Sequence, residues 1–261
     1  MIDITLPDEE FLLHWWNKNG LEDLFAAVVE RAKAISPEGQ DPFPPQKADL
    51  ARLHYLIHHH RFLTSLEFGV GYSTIAFADA HQKNRTEYDQ FKGHKRRLRN
   101  SRLFEHTTVD TEARWLQHTA QILPDDYSAG ISFHQSDSSI GLWRDQICHY
   151  YDNLPDICPD FIYLDGPDPS AVKGSLNGIT FTQQERTPMA ADLLRLEALL
   201  LPGTAILVDG RTNNARFLAR NFSRNWSMNW DRDGDVTLFV LHEEPLGKHN
   251  ISGKAIFEEL N

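Results

Sequence analysis

The run Ser65-Leu66-Glu67-Phe68-Gly69-Val70-Gly71-Tyr72-Ser73-Thr74 contains the clearest structural signal in the chain. Its apolar first half predicts a buried strand, and Gly69 and Gly71 predict a turn directly after that strand. The residues that follow have apolar side chains at helical spacing, with Ser73 or Thr74 as the predicted N-cap. In α/β folds such a strand, turn and helix place free backbone N–H groups beside a ligand.

Composition excludes several classes of protein. The 261 residues suit one large α/β domain with a small appendage, and the formal net charge of −11 disfavours a nucleic-acid partner. No apolar run approaches the ~20 residues of a membrane span, and the N-terminal residues lack the pattern of a signal peptide. We therefore expect a cytoplasmic protein with no membrane span and no nucleic-acid ligand.

The N-terminal residues 1–46 are predicted to form a helical appendage and linker. Two amphipathic helices are expected there, followed by a linker that four prolines keep from being helical: Pro37, Pro42, Pro44 and Pro45. The remaining residues, 47–261, are predicted to form the α/β domain.

Strands and helices alternate along this domain. Strands are predicted at 62–68, 104–110, 131–135, 161–164 and 205–208, with helices at 47–60, 113–122 and 189–200 and a further one capped by Asn213 or Asn214. A hairpin with strands at 226–230 and 235–241 follows. This order predicts a doubly wound, mostly parallel, seven-stranded sheet that ends in an antiparallel hairpin.

One local stretch is basic. Residues 83–102 contain eight Lys and Arg side chains but only two acids. Two interpretations remain open: a solvated insertion, or a patch for an acidic or phosphorylated partner or substrate.

Acidic residues recur where the predicted strands end. They are Glu67, Asp110, Asp137, Asp165 and Asp209. Ligands of open α/β sheets lie in the crevice outside these strand ends, so several carboxylates are expected to meet there. A nucleoside ligand accounts for this set, because an acid after the second strand can accept hydrogen bonds from both ribose hydroxyls.

Three classes of ligand compete for the glycine turn. A nicotinamide dinucleotide favours Gly-x-Gly-x-x-Gly, but Thr74 occupies the third glycine position. A hydrolase nucleophile elbow requires Gly-x-Ser-x-Gly, but Ile75 occupies its last position. The third class is indicated by a family resemblance.

Five motifs in sequence resemble class I S-adenosylmethionine-dependent methyltransferases. The first is Glu67-x-Gly69-x-Gly71-x-Ser73, and the others are Asp110 in the ribose position, Ser136-Asp137 in the adenine segment, residues 160–165 in the fourth strand and residues 200–204 before the fifth. The resemblance covers about residues 62–242. More narrowly, residues 158–167 and 201–218 resemble a group of bacterial proteins with the methyltransferase fold.

The resemblance implies a Rossmann-like methyltransferase fold and S-adenosylmethionine as cofactor. It assigns cofactor contacts to Glu67, Gly69, Gly71, Tyr72, Ser73, Asp110, Thr111, Ser136, Asp137 and Asp165. The implied reaction is O-methylation of a small or saccharide-like substrate, which could be anionic.

Catalytic roles are expected for Asp165, Asp209 and Arg211, which follow the fourth and fifth strands. The two aspartates could hold Mg²⁺, as in catechol-type O-methyltransferases, which Asp165 and Asp209 resemble in position. This sequence has Gly210 where those enzymes have Asn, so Asn213 or Asn214 would have to substitute. The alternative is that the two acids position substrate or structure without a metal.

Other functions remain open at this stage. The fold could serve as a binding or scaffold module without turnover, or as a nicotinamide-dependent oxidoreductase. The expected partner is a small molecule or glycan, and a homo-oligomer is compatible with the sequence.

Overall fold

The structure is a computed structural model that describes residues 4–36, 44–91, 97–183, 185, 187 and 189–258. Several residues of the sequence-based predictions lie outside this described part. They are Pro37 and Pro42 of the linker, and Lys92, Lys95 and Arg96 of the basic stretch.

Helices and strands alternate through most of the described chain. In order they are α1 (Glu9–Lys18), α2 (Leu21–Ile35), α3 (Lys47–His60), β1 (Thr64–Phe68), α4 (Tyr72–Gln90), β2 (Glu105–Asp110), α5 (Ala113–Ile122), β3 (Ile131–Gln135), β4 (Ser138–Trp143), β5 (Gln146–Tyr151), β6 (Phe161–Leu164), β7 (Val172–Lys173), α6 (Asp192–Leu196), β8 (Ala205–Asp209), α7 (Thr212–Asn221), β9 (Trp226–Asp231), β10 (Val236–Leu241) and α8 (Gly253–Glu258). None of the described helices is both long and apolar enough to cross a membrane.

The central sheet has seven strands in the order β3-β2-β1-β6-β8-β10-β9. The first five strands of this order are parallel, and β10 runs antiparallel to both β8 and β9. The predicted doubly wound, mostly parallel sheet with a closing hairpin is confirmed. Because chain order reverses between β1 and β6, the carboxyl ends of these two strands border the crevice where such folds bind ligands.

Both faces of the sheet are covered. On one face, α3 and α4 pack through Leu53, Leu56 and Phe77 against β6 and β8. On the other face, Leu66 and Phe68 of β1 share a cluster with α6 and α7. Parallel strands buried on both faces explain why β6 and β8 are nearly continuous apolar runs.

The N-terminal helices pack onto the α3 and α4 side. Trp16 and Phe25 belong to a cluster that also contains Leu50 of α3 and Ile75 of α4. The two predicted helices therefore exist as α1 and α2, while a domain boundary at residue 46 stays a prediction.

The sequence analysis missed a second, three-stranded sheet, ordered β5-β4-β7. Its β4–β5 hairpin lies in the connection from β3 to β6, where parallel strands are usually joined by a helix. The hairpin turns at Arg144 and Asp145, whose φ angles are +47° and +63°. In a sequence, such turns are usually recognised by Asn-Gly or Asp-Gly. Neither turn residue here is a glycine or an asparagine, so the hairpin has no such signal.

Three predicted helix details were wrong. Helix α4 begins at Tyr72 with Gly71 as its N-cap, and α7 begins at Thr212 after Arg211. The helix predicted at 189–200 is helical only over Asp192–Leu196 and continues as a 3₁₀ turn. Before α6 the backbone forms an isolated bridge with β5 instead, in which the N–H of His149 donates to the carbonyl of Met189 and the N–H of Ala191 donates to the carbonyl of His149, both at 3.0 Å.

The described part of the basic stretch is largely held against the protein. Lys83 donates to Asp79 and to the carbonyl of Asn19, and Arg85 donates to the carbonyl of Phe104 at 3.0 Å. Arg99 donates to the carbonyl of Leu246 at 2.9 Å. These contacts favour a structural role for the described basic side chains.

The loops after β1 and β6 touch backbone to backbone. The N–H groups of Asp165 and Gly166 both donate to the carbonyl of Phe68, at 3.0 and 2.5 Å. A Cβ atom on Gly166 would lie 2.7 Å from the nitrogen and 2.8 Å from the Cα of Gly69. Neither backbone can retreat without breaking strand pairing, so this contact requires glycine.

Replacing this glycine should destabilise the protein. We expect Gly166→Ala to lower the free energy of unfolding by about 1–3 kcal/mol through overpacking. The matched variant Gly71→Ala should cost less than about 1 kcal/mol, the N-cap preference of glycine over alanine, because its Cβ would meet nothing within 4 Å. Urea unfolding followed by circular dichroism measures both, and equal losses would contradict the proposed contact.

Candidate functional site

The glycine turn lies at the carboxyl end of β1, in the centre of the sheet. Gly69 has a φ of +115°, its N–H donates to the carbonyl of Val109 at 2.9 Å, and its carbonyl accepts from the hydroxyl of Thr108. Gly71 faces open space. The backbone of the turn can therefore be approached closely by a ligand from the crevice side.

Glu67 is held inside the protein. Its carboxylate accepts hydrogen bonds from the hydroxyls of Ser73 and Thr74, the latter at 2.7 Å, and lies 3.0 Å from Nε2 of His106. Only 1% of Glu67 is exposed. Glu67 thus connects β1 to the first turn of α4. Ser73, which was also expected to contact the cofactor, takes part in this connection.

The polar chain continues away from the crevice. The hydroxyl of Ser65 lies 2.8 Å from Nδ1 of His106 and 2.7 Å from Nε2 of His81. Burial lowers the pKa of His81 well below its ordinary value, so this ring is neutral. The ring of His106 also stacks on Phe77 at 4.4 Å. These partners follow from the pairing of β1 with β2, which the spacing in the sequence does not reveal.

Asp110 ends β2 beside the glycine turn. Its Oδ1 accepts the N–H of Glu112 at 2.8 Å, and Thr111 lies between them. Burial, together with repulsion from Glu67 and Glu112, raises the pKa of Asp110 to about 6. The carboxylate is ionised at neutral pH and half-buried, which suits an acceptor for ligand hydroxyls.

Tyr72 and Ser136 have partly structural surroundings. The ring of Tyr72 lies 6.4 Å from that of Phe25 in α2. The hydroxyl of Ser136 accepts the N–H of Asn153 at 2.9 Å and donates to the carbonyl of Asp137 at 3.0 Å. Both residues still lie at the strand ends that border the crevice.

Asp137 is paired with a lysine. Its carboxylate accepts from Nζ of Lys173 at 2.6 Å, and both side chains are largely exposed. The two residues come from the chain after β3 and from β7, so the second sheet creates this pair.

Arg211 and Asp165 meet at the ends of β8 and β6. One guanidinium nitrogen of Arg211, Nη2, donates to the carbonyls of Asp165 and Pro167, the latter at 2.9 Å. The side chain of Asp165 is exposed at the rim. These two main-chain carbonyls hold the side chain of Arg211 across the crevice. Because neither carbonyl carries a full charge, they do not neutralise the guanidinium.

Asp209 has a different environment. Its Oδ2 accepts the hydroxyl of Tyr163 at 2.5 Å. The pKa of Asp209 is raised to about 7, chiefly by burial and also by the charges of Asp165 and Asp49, against the lowering effect of the hydrogen bond from Tyr163. Asp209 faces an acidic cavity of about 910 Å³ between the start of α3 and the β9–β10 turn.

The residues expected to bind a metal are not assembled into a metal site. Within residues 4–258, excluding the gaps given above, no three His, Cys, Asp or Glu side chains are placed to hold one ion. Both amide atoms of Asn214 are engaged by the backbone of Ala190, at 2.9 and 3.1 Å. Asn213 donates to the hydroxyl of Thr187 at 3.4 Å.

The sequence analysis also missed His149 and Tyr151 of β5. The ring of Tyr151 packs on Phe68 at 5.5 Å, which places it behind the end of β1. Burial raises the pKa of its hydroxyl, and the charges of Asp110, Asp192, Arg211 and Asp165 also act on it. No motif marks these residues, because their hairpin has no glycine signal and their neighbours in space come from β1 and α7.

Comparisons with known proteins agree with this fold. No protein-family model matches the chain, and no curated protein is detectably similar in sequence. Cofactor-bound Rv0187 from MTB is similar in structure, with 13% sequence identity, a TM-score of 0.50 and coverage of 93% of this chain and 100% of the other. The SAH-bound methyltransferase PaMTH1 of Podospora anserina is 11% identical, with the same TM-score and the same coverage.

The strand order, the antiparallel β10 and these likenesses agree over nearly the whole length of the chain. The chain therefore has the Rossmann-like fold of the class I S-adenosylmethionine-dependent methyltransferases.

Proposed function

We propose that this protein is an S-adenosylmethionine-dependent methyltransferase that acts on an oxygen of a small or saccharide-like substrate. The observation that carries the proposal is the open backbone at Gly71 beside the carboxylate of Asp110, at the carboxyl ends of adjacent parallel strands. This pairing suits a nucleoside with an attached charged chain, because the N-terminus of α4, capped by Gly71, and a ribose acceptor lie side by side.

The residues fit such a cofactor. Asp110 would accept the ribose hydroxyls, the turn at Gly69 and Gly71 would lie along the methionine part, and the segment around Ser136 would meet the adenine. Thr111, Asp137 and Tyr72 border the same space. When bound, the cofactor supplies a methyl group that is already electrophilic, so the protein has only to orient the acceptor oxygen and remove its proton.

The acceptor would lie beyond β6 and β8. Arg211 is a fixed positive charge at that edge and suits an anionic group of the substrate. Asp209, with its pKa near 7, can give or take a proton at neutral pH. Asp165, at the rim, borders both the cofactor and the acceptor.

A role for Mg²⁺ is a separate hypothesis. Asp165 and Asp209 are hard oxygen ligands, but the second is hydrogen-bonded to Tyr163, and the side chain of Asn214 is occupied. The described residues do not form a metal site, so no step of the reaction is derived through an ion.

Two other functions remain as alternatives. A binding or scaffold module would bind the cofactor without turnover. A nicotinamide oxidoreductase would bind NAD instead, but Thr74 in place of the third glycine disfavours it.

Calorimetry with S-adenosylhomocysteine, S-adenosylmethionine and NAD separates these functions. We expect both adenosyl compounds to bind, and Asp110→Ala to weaken their binding about tenfold or more, because a charged hydrogen-bond acceptor is lost. Glu105→Ala, at the opposite end of β2, is the matched control and should bind normally. Folded protein that gives no heat with either adenosyl compound would refute the proposal, and binding without methylation across a broad acceptor panel would favour the scaffold.

Cofactor affinity should depend on pH through Asp110. The pKa of this carboxyl in the folded protein is about 6, above its ordinary value of 3.8. Protonation below pH 6 removes an acceptor, so S-adenosylhomocysteine should bind about tenfold more weakly at pH 5 than at pH 7. Asp110→Asn should flatten this profile.

The raised pKa of Asp110 has the opposite effect on the stability of the fold: acid weakens cofactor binding but favours the folded protein. Because the folded pKa is raised, the contribution of Asp110 to stability is largest at low pH and is lost as the pH rises through about 6. Acidification to pH 5 therefore does not unfold the protein through this group, and thermal melts at both pH values are the control.

Metal removal tests the Mg²⁺ hypothesis. We expect EDTA to leave methyl transfer unchanged, because the two aspartates have no third ligand among the described residues. Loss of turnover that added Mg²⁺ restores would establish a metal requirement.

A further inference from the structure

Three buried polar atoms at the crevice have no hydrogen-bond partner among the described residues. They are Nε2 of His149, the hydroxyl of Tyr151 and Nη1 of Arg211. His149 is fully buried and Tyr151 is 1% exposed. Leaving a buried polar group unpaired is unfavourable, and three such atoms on elements that meet at the crevice indicate a place for a ligand.

The fold brings these three atoms to one side of the crevice. His149 pairs with Ala190 in an isolated bridge, and Asn214 of α7 binds both the N–H and the carbonyl of Ala190. The first turn of α7, which presents Arg211, is thereby locked to β5. The positive charge of Arg211 acts on both the ring of His149 and the hydroxyl of Tyr151.

Hydrogen bonding determines which nitrogen of His149 carries the proton. The hydroxyl of Ser138 donates its one proton to the carbonyl of Tyr150 at 3.0 Å, and the same oxygen lies 3.0 Å from Nδ1 of His149. Both contacts of Ser138 are satisfied together when it accepts the Nδ1–H, and this is the tautomer that we assign to His149. Nε2 of the neutral ring is left with an unshared electron pair and no partner.

The three atoms form a complementary set. His149 offers an acceptor, Arg211 a charged donor, and Tyr151 a hydroxyl that can donate. A ligand hydroxyl would donate to Nε2 of His149, and a ligand carboxylate would accept from Arg211 and Tyr151.

We propose that His149, Tyr151 and Arg211 form the acceptor subsite and bind a hydroxy-carboxylate, with the hydroxyl on His149 and the carboxylate on Arg211 and Tyr151. The assignment rests on the proposed methyltransferase function and names its substrate class. It includes hydroxy acids, sugar acids and hydroxylated aromatic acids.

With the cofactor bound, the substrate oxygen would form a bond to the methyl carbon while the bond from that carbon to sulfur broke and its electron pair stayed on sulfur. The hydroxyl proton would move to Nε2 of His149, and not to Asp209, so one positive charge would pass from the sulfonium to the imidazole. Burial, and then the charge of Arg211, lowers the pKa of His149 to about 3. A carboxylate on Arg211 offsets that charge and makes the ring a better base.

Binding of matched acids and neutral analogues tests the subsite. D-glucuronate is compared with D-glucose, and 3,4-dihydroxybenzoate with catechol, by calorimetry on protein saturated with S-adenosylhomocysteine. We expect at least one acid to bind about tenfold more tightly than its neutral analogue, since a charged hydrogen bond is added. No preference for either acid would overturn the assignment.

Variants assign the contacts. Arg211→Gln should abolish the preference for the acid. Tyr151→Phe should weaken binding of the acid several-fold without lowering the melting temperature, because its hydroxyl has no partner in the described protein. Tyr150→Phe is the matched control on the same strand: its hydroxyl donates to the carbonyl of Leu142 at 2.9 Å, so stability should fall while affinity stays unchanged.

His149→Gln should lower kcat about 100-fold or more with little change in KM, as expected for loss of a general base. If His149→Gln does not fold, the variants Tyr151→Phe and Arg211→Gln still test the proposed subsite. Should Arg211→Gln and Tyr151→Phe weaken S-adenosylhomocysteine instead of the acid, the three atoms belong to the cofactor site and the proposal is wrong. Failure of the adenosyl compound to bind wild-type protein would refute the proposed function separately.

Discussion

The close approach of Gly69 and Gly166 is the constraint on which the crevice depends. These backbones meet where β1 and β6 end, at the point where the order of the strands reverses. With no side chain between them, the loop after β6 lies directly against the glycine turn. Arg211 then donates to the carbonyls of Asp165 and Pro167 in that loop. One backbone contact thus sets the position of the loop after β6, and of Arg211, relative to the glycine turn.

Buried polar groups around the crevice fall into two kinds. The carboxylate of Glu67 accepts from the hydroxyls of Ser73 and Thr74 and lies beside His106, so this chain of contacts holds β1 to α4 and β2. Nε2 of His149 and the hydroxyl of Tyr151 have no partner among the described residues. The Glu67 contacts lie beneath α4, whereas His149 and Tyr151 lie on β5. In the proposed subsite a ligand would complete the hydrogen bonds of His149 and Tyr151.

The β4–β5 hairpin positions His149 and Tyr151, the two side chains with unpaired polar atoms. A helix in the connection from β3 to β6 would present side chains at intervals of three and four, whereas β5 sends alternate residues to one face. His149 and Tyr151 are two apart on β5 and so share a face. The hairpin therefore carries both residues to the crevice, next to Arg211.

The sequence by itself determined the fold class, and it predicts the side of the sheet where a ligand would bind. Apolar runs and their spacing predict the seven strands, and the glycines with Asp110 mark the crevice, because these signals depend on residues close in sequence. Tertiary structure alone decided what each side chain does there. Glu67 is enclosed by Ser73, Thr74 and His106, Asp137 is paired with Lys173, and Asp209 with Tyr163. Most of these partners lie far apart in sequence and meet only through strand pairing. No local sequence pattern could therefore distinguish a structural carboxylate from one that binds a ligand.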